Sequence, residues 1–103
     1  MELSYAEENY LKALLKLSQS GDRTVSTNAL ASHLNNSAAS VTDMLKKLAT
    51  KQLIKYQRYQ GASLTDEGYR LSTTLVRKHR LWEVFLVQSL GMTWDQVHDI
   101  AEE

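Results

Sequence analysis

Thr27-Asn28-Ala29-Leu30-Ala31-Ser32-His33-Leu34-Asn35-Asn36-Ser37-Ala38-Ala39-Ser40-Val41-Thr42-Asp43-Met44-Leu45-Lys46-Lys47-Leu48 is the stretch that decides the fold. Leu30, Ala31 and Leu34 give a short helix one apolar face. Asn35-Asn36 breaks it, because asparagine tolerates the left-handed conformation at modest cost. Ser37 is a natural N-cap for the next helix. There Val41, Leu45 and Leu48 recur at i, i+4 and i+7 with Met44 beside them, an amphipathic stripe. A small residue at 31, a turn residue at 35 and an apolar residue at 41 suit two helices that cross closely on a tight turn.

Reading outward, Leu53-Ile54-Lys55-Tyr56 is a short strand. Gln57-Arg58-Tyr59-Gln60-Gly61 is a hairpin tip with Gly61 free to take a positive φ, and Ala62-Ser63-Leu64 returns as a second strand. Upstream, Ser4-Tyr5-Ala6-Glu7 is a capping box that opens a helix striped by Tyr10, Ala13, Leu14 and Leu17, with Gly21-Asp22 ending it. Three helices and a two-stranded hairpin in this order spell a winged helix-turn-helix over residues 1–64. Thr65-Asp66-Glu67 then starts a long helix that runs to about Ser89, with Gly91 as its C′ residue. Thr93-Trp94-Asp95-Gln96 is a second capping box, and its helix is still running at Glu103. The expected fold is mainly α: a winged helix-turn-helix followed, over residues 65–103, by a helical region that looks truncated at its C-terminus.

The chain has 103 residues, 43% hydrophobic and 23% charged, values of an ordinary globular domain rather than a disordered or fibrous chain. No apolar run spans a bilayer, and Met1-Glu2-Leu3-Ser4 has no signal-peptide pattern, so a cytoplasmic protein with no membrane partner is expected. The absence of cysteine excludes disulfides, thiolate nucleophiles and cysteine-ligated zinc. Twelve basic residues balance twelve acidic ones, but unevenly: residues 44–80 carry nine bases against two acids, a net of +7, and residues 81–103 five acids and no base. The basic segment invites an anion such as nucleic acid, although solvated helix faces account for the same pattern.

With Val41, Leu45 and Leu48 turned inward, the opposite face carries Ser40, Thr42, Asp43, Lys46, Lys47 and Thr50. Small hydroxyls at the helix start, Ser37 included, suit base edges in a major groove. Lys46 and Lys47 suit phosphates, which add affinity but no sequence information. Arg58 and Tyr59 at the wing tip are placed for a minor groove or a phosphate. Asp43 either accepts from a cytosine amino group or pairs with Lys46 or Lys47. His33 reads as a surface residue.

His79 and Glu83 are four apart on the long helix, as are His98 and Glu102 on the last one. Side chains at i and i+4 share a helix face and can grip one ion. Mixed nitrogen and oxygen donors suit iron, manganese, cobalt, nickel or zinc. Surface ion pairs or satisfied core histidines explain the same spacing. Trp82, Phe85, Leu86 and Leu90 extend an apolar surface larger than one small domain obviously buries, and so are expected at a dimer interface.

Ser40-Val41-Thr42-Asp43-Met44-Leu45-Lys46-Lys47-Leu48, Tyr59-Gln60-Gly61 and Leu64-Thr65-Asp66-Glu67-Gly68 resemble the metal-dependent transcriptional repressors of the diphtheria toxin repressor and manganese transport regulator family. Arg77-Lys78-His79-Arg80-Leu81-Trp82-Glu83-Val84-Phe85-Leu86 and Leu90-Gly91 through Val97-His98-Asp99 continue the likeness across nearly the whole chain. The resemblance implies a homodimer on a palindromic DNA operator, controlled by Fe(II) or Mn(II), and no enzymatic activity. It places His79, Glu83 and His98 in one metal site, Glu102 in a second, and Asn9 where relatives have methionine or aspartate. Ala39 stands where a proline frequently starts the recognition helix, among the DNA-contacting residues. Lys12 stands where some manganese-sensing members have glutamate, and the chain stops before the Leu-Glu-His that supplies two more second-site ligands.

Other readings of the same residues are a winged-helix regulator that does not respond to metal, its His/Glu pairs structural, and a winged helix used only for protein contacts. A metal-dependent hydrolase would also need an open coordination position, a positioned base and a substrate pocket. Beyond the two pairs the sequence offers no such constellation.

Overall fold

A computed structural model describes residues 2–18 and 23–101, with side chains through Val97. The elements are α1 (Tyr5–Leu17), α2 (Thr27–Leu34), α3 (Ala38–Thr50), β1 (Ile54–Gln57), β2 (Gly61–Leu64), α4 (Asp66–Leu90) and α5 (Trp94–Ala101). The chain forms two compact units, residues 1–73 and 74–103, with the division inside α4. Gly21-Asp22, expected to end the first helix, lies outside the described residues.

The helix signals act as their chemistry dictates. Ser4 and Glu7 form a reciprocal capping box on α1, and Ser26 and Ser37 cap α2 and α3 by accepting from Ala29 N–H and Ser40 N–H. Asn35 ends α2 in the left-handed conformation at φ 55°, and Asn36 N–H donates to the Ala31 carbonyl at 3.0 Å. The end of α3 was not legible as a cap, because no glycine or asparagine stands there. Gln52 takes the left-handed position at φ 62°, and Leu53 N–H donates to the Leu48 carbonyl at 3.2 Å.

Tyr10, Leu11, Ala13, Leu14, Leu30, Val41, Leu45, Leu48, Leu53, Ile54 and Leu64 make the core of the N-terminal unit. Each fully buried leucine is worth roughly 2 kcal/mol relative to exposure. α1 packs on α2 and β2, and α3 on α2 and β1. β1 and β2 pair antiparallel from Ile54↔Leu64 to Gln57↔Gly61, leaving Arg58, Tyr59 and Gln60 as the tip. The link before α2 adds a bridge the sequence did not announce, Val25 to Ala62. That bridge gives Gly61 a second reason to be glycine. Besides its φ of 114°, a Cβ there would sit 2.1 Å from the Val25 carbonyl oxygen.

Thr65 caps α4, accepting from Gly68 N–H at 3.0 Å and donating to the Gln52 carbonyl at 2.9 Å. A Cβ at Gly68 would lie 1.9 Å from the Leu53 carbonyl oxygen, so only glycine lets the first turn of α4 seat against the backbone just before β1. In the C-terminal unit Gly91 turns the chain at φ 68°, and Thr93 and Gln96 form the second capping box. Among the described residues no helix is long and apolar enough to cross a membrane.

Candidate nucleic-acid interface and metal ligands

α3 turns Val41, Leu45 and Leu48 into the core and leaves Ser37, Ala39, Ser40, Asp43, Lys46 and Lys47 exposed, with Thr42 half-buried. The two serines are engaged with each other: Ser37 Oγ accepts from Ser40 N–H at 3.2 Å and donates to Ser40 Oγ at 3.0 Å. Ser40 Oγ keeps its own proton to donate outward. Among the described residues no ion pair joins Asp43 to Lys46 or Lys47.

The wing tip is strained and open. Tyr59 is left-handed at φ 72° and 91% exposed, and the Arg58 guanidinium lies 4.9 Å from its ring centroid. A non-glycine residue in that region costs roughly 1–2 kcal/mol. Between tip and helices lies an open groove of about 410 Å³, lined by Ser26, Thr27 and Asn28 at the start of α2, by Thr42, and by Tyr56 and residues 58–61 of the wing. Arg58 is the one charged residue of that lining, and hydroxyls and amides make up most of the rest. Of these, Ser26, Thr27, Asn28, Tyr56 and Gln60 were not singled out in the sequence. Ser26 is the N-cap of α2, and its nearness to the wing follows from the Val25–Ala62 bridge.

Part of the positive charge of residues 44–80 is engaged within the chain. Lys51 Nζ lies 2.5 Å from Glu7 Oε2, Arg70 pairs with Glu67, and the Arg80 guanidinium lies 4.7 Å from the Trp94 ring centroid. Glu7 is buried, and its carboxyl is held at about 2 by the Lys51 ammonium and by the Ser4 backbone N–H, against the opposing effect of burial.

In the C-terminal unit His79 Nε2 lies 2.7 Å from Glu83 Oε1, both side chains largely buried. Arg80 reaches the other Glu83 oxygen at 3.5 Å. Imidazole nitrogen and carboxylate oxygen side by side fit a divalent transition ion. Among the described residues no group of three or more histidine, cysteine, aspartate or glutamate side chains is gathered. The side chain of His98 and the whole of Glu102 lie outside the described residues. Asn9 is half-buried on α1, in the N-terminal unit. Trp82 and Phe85 are each 47% exposed and stack with centroids 5.2 Å apart; Leu90 is exposed too. Leu86 differs from the expected exposed set. It is 3% exposed, buried like Glu83 one turn before it, while Trp82 and Phe85 stay half exposed. Leu81 and Trp94, not anticipated, are exposed.

The profile described as "Iron dependent repressor, N-terminal DNA binding domain" matches residues 2–62, and "Iron dependent repressor, metal binding and dimerisation domain" matches residues 65–103. The chain belongs to the iron-dependent repressor family. Among relatives, the HTH-type transcriptional regulator MntR of Oceanobacillus iheyensis is 34% identical over 92% of this chain and 63% of its own length. The diphtheria toxin repressor of Corynebacterium jeikeium is 29% identical over 91% of this chain and 39% of its own. A solved manganese-dependent transcriptional repressor in complex with manganese superposes with a TM-score of 0.79 at 38% identity, covering 93% of this chain and 44% of that one. ScaR with bound Zn2+ gives 0.78 at 40% identity and the same coverage. The chain thus spans less than half the length of the two solved relatives. The segment matched by the DNA-binding domain runs from α1 into β2, and the segment matched by the metal-binding and dimerisation domain holds His79 and Glu83.

Proposed function

We propose that this chain acts in the cytoplasm as a homodimeric repressor that binds a palindromic operator when Fe(II) or Mn(II) is bound, and so controls metal-homeostasis genes. The observation that carries the reading is the His79–Glu83 pair at 2.7 Å, largely buried within the segment matched by the metal-binding domain. Neutral imidazole and ionised carboxylate are the ligating forms, so protons and a divalent ion compete for the same atoms. His98, four residues before Glu102, is proposed as a further ligand. When bound, the ion supplies a cross-link whose energy differs between dimer geometries, and only that difference biases DNA binding.

The functional boundary is proposed at Leu64/Thr65, a reading supported by Thr65 capping α4, although the compact units divide further along that helix. Lys46 and Lys47 are proposed for phosphates, Ser40, Thr42 and Asp43 for base edges, and Arg58 with Tyr59 for the flanking strand. Trp82, Phe85 and Leu90 are proposed as part of the dimer face. The manganese-bound relative supports Mn(II) and the iron-named relatives Fe(II). Binding to a selected duplex with and without each metal tests the reading; equal affinity under all conditions refutes it. One observation favours the alternative of a regulator that ignores metal: Arg80 already partners Glu83, which is what a structural ion pair requires.

A further inference from the structure

α1 touches both ends of the recognition helix with polar side chains from a single turn. Glu7 Oε2 meets Nζ of Lys51, the C-cap of α3, at 2.5 Å. Three residues further along α1, the Tyr10 hydroxyl accepts from Asn36 Nδ2 at 3.1 Å. Asn36 directly precedes Ser37, the N-cap of α3. Glu7 and Tyr10 are i, i+3 neighbours and so lie on one face of α1. Glu7 and Tyr10 are buried, while Asn36 is exposed.

The middle of α3 is held by Val41, Leu45 and Leu48, all fully buried. Apolar burial is non-directional and tolerates a small roll or slide of the helix. Hydrogen bonds do not, because they weaken steeply with misalignment. Contacts at the two ends therefore set the axial position and roll of α3, and with them where Ser40, Thr42 and Asp43 stand. Base-edge readout needs hydrogen-bond accuracy, whereas the phosphate attraction of lysines is long-ranged and sequence-independent.

We propose that α1 is a two-point clamp on the recognition helix, with Tyr10 and Asn36 as positioning residues that set base readout rather than overall DNA affinity. The inference rests on the DNA-binding reading above.

The test uses the 103-residue chain and two duplexes: the sequence that the wild-type chain enriches from a randomised library in Mn(II), and a scrambled duplex of the same length and composition. Tyr10→Phe keeps the ring and removes only the hydroxyl; Asn36→Ala removes the other partner at an exposed position. Each variant is expected to lower the ratio of selected to scrambled affinity by ~3- to 10-fold, the worth of one net hydrogen bond. Scrambled-duplex affinity should stay within about twofold, and the double variant should match the worse single one. A ratio unchanged in Tyr10→Phe overturns the clamp. So does an equal loss on both duplexes, which marks loss of folded protein. If the wild-type chain enriches no sequence, the DNA-binding reading fails and the clamp falls with it. If it enriches one and the ratio is unmoved, the clamp alone fails.

Discussion

Glu7 of α1 is buried, and its Oε2 lies 2.5 Å from Nζ of Lys51, which stays partly hydrated at 28% side-chain exposure. The carboxyl is therefore held at about 2 rather than at its ordinary 4.5. A carboxyl depressed in the folded state contributes stability that is fully present above its unfolded value and is lost as pH falls through its folded value. Unfolding by urea from pH 6 down to pH 2 should show that loss between about 4.5 and 2, on the order of 3 kcal/mol by linkage. Glu7→Gln should flatten the curve in that window and lower stability at pH 7. A variant as acid-sensitive as wild type would remove Glu7 as the source.

Gly68 and Gly91 separate two costs of adding a methyl group. At Gly68 the obstacle is backbone, the Leu53 carbonyl oxygen at 1.9 Å, and cannot rotate away. At Gly91 nothing lies within 4 Å, and only the φ of 68° opposes a side chain. Gly91→Ala should cost about 1 kcal/mol. Gly68→Ala should cost ~3 kcal/mol or more, as overpacking against fixed atoms does. Thermal unfolding of the two variants ranks them, and the reverse order would mean that α4 does not seat on the Leu53 backbone.

On the recognition helix, Lys46→Ala and Lys47→Ala should weaken binding about equally on all duplexes. Each lost phosphate contact should shallow the log–log salt slope by ~0.9. Ser40→Ala and Thr42→Ala should instead change which sequences are preferred. The Ser37–Ser40 hydroxyl contact at 3.0 Å makes Ser40→Ala the sharper of the two, because it also frees the cap hydroxyl. Fluorescence anisotropy at several salt concentrations distinguishes these outcomes, and an unmoved slope for both lysine variants would place another face on the DNA.

The helix-turn-helix and the wing were legible because their signals are local. Ser37, Asn35, Gly61 and the capping boxes each act within four residues, and the 3.6-residue stripe sorts Val41, Leu45 and Leu48 from their neighbours. What escaped the sequence was long-range or chemically mute. Glu7 read as a capping residue, and does cap, but its second role depends on Lys51, 44 positions away. Asn36 read as a turn residue, and its contact with Tyr10 spans 26 positions. Gln52 and Tyr59 hold positive φ without belonging to the residue types that usually advertise it. Leu86 was grouped with exposed neighbours because apolarity alone does not say which side of α4 a leucine takes.

Trp82, Phe85 and Leu90 present apolar surface on α4, with Leu81 and Trp94 also exposed. In a C2 dimer this one patch meets itself. Phe85→Ser removes the centre of the stacked Trp82–Phe85 pair and should shift sedimentation toward monomer, with specific DNA binding falling as the paired half-sites are lost. A Phe85→Ser chain that sediments as wild type at every concentration would move the interface elsewhere.

The last expectation concerns the metal. If His79 and Glu83 ligate a divalent ion, that ion must replace their 2.7 Å contact with each other, and it must also draw Glu83 from Arg80. Two consequences differ in sign. His79→Ala deletes a donor and should lower Mn(II) affinity, by 10- to 100-fold or more, given that even outer-shell losses reach about that range. Arg80→Ala removes a competing cation while leaving both donors, and should raise affinity or leave it unchanged. Metal affinity of the wild-type chain should fall with pH, because the ligating imidazole is neutral. In each case metal-stimulated operator binding should follow metal affinity, while metal-free affinity for scrambled duplex should hold, since Lys46 and Lys47 are untouched. Isothermal titration with Mn(II), and with Fe(II) under anaerobic conditions, gives the three isotherms. If wild type and His79→Ala coincide, the pair is structural, and the regulator that ignores metal becomes the better reading of the same winged helix.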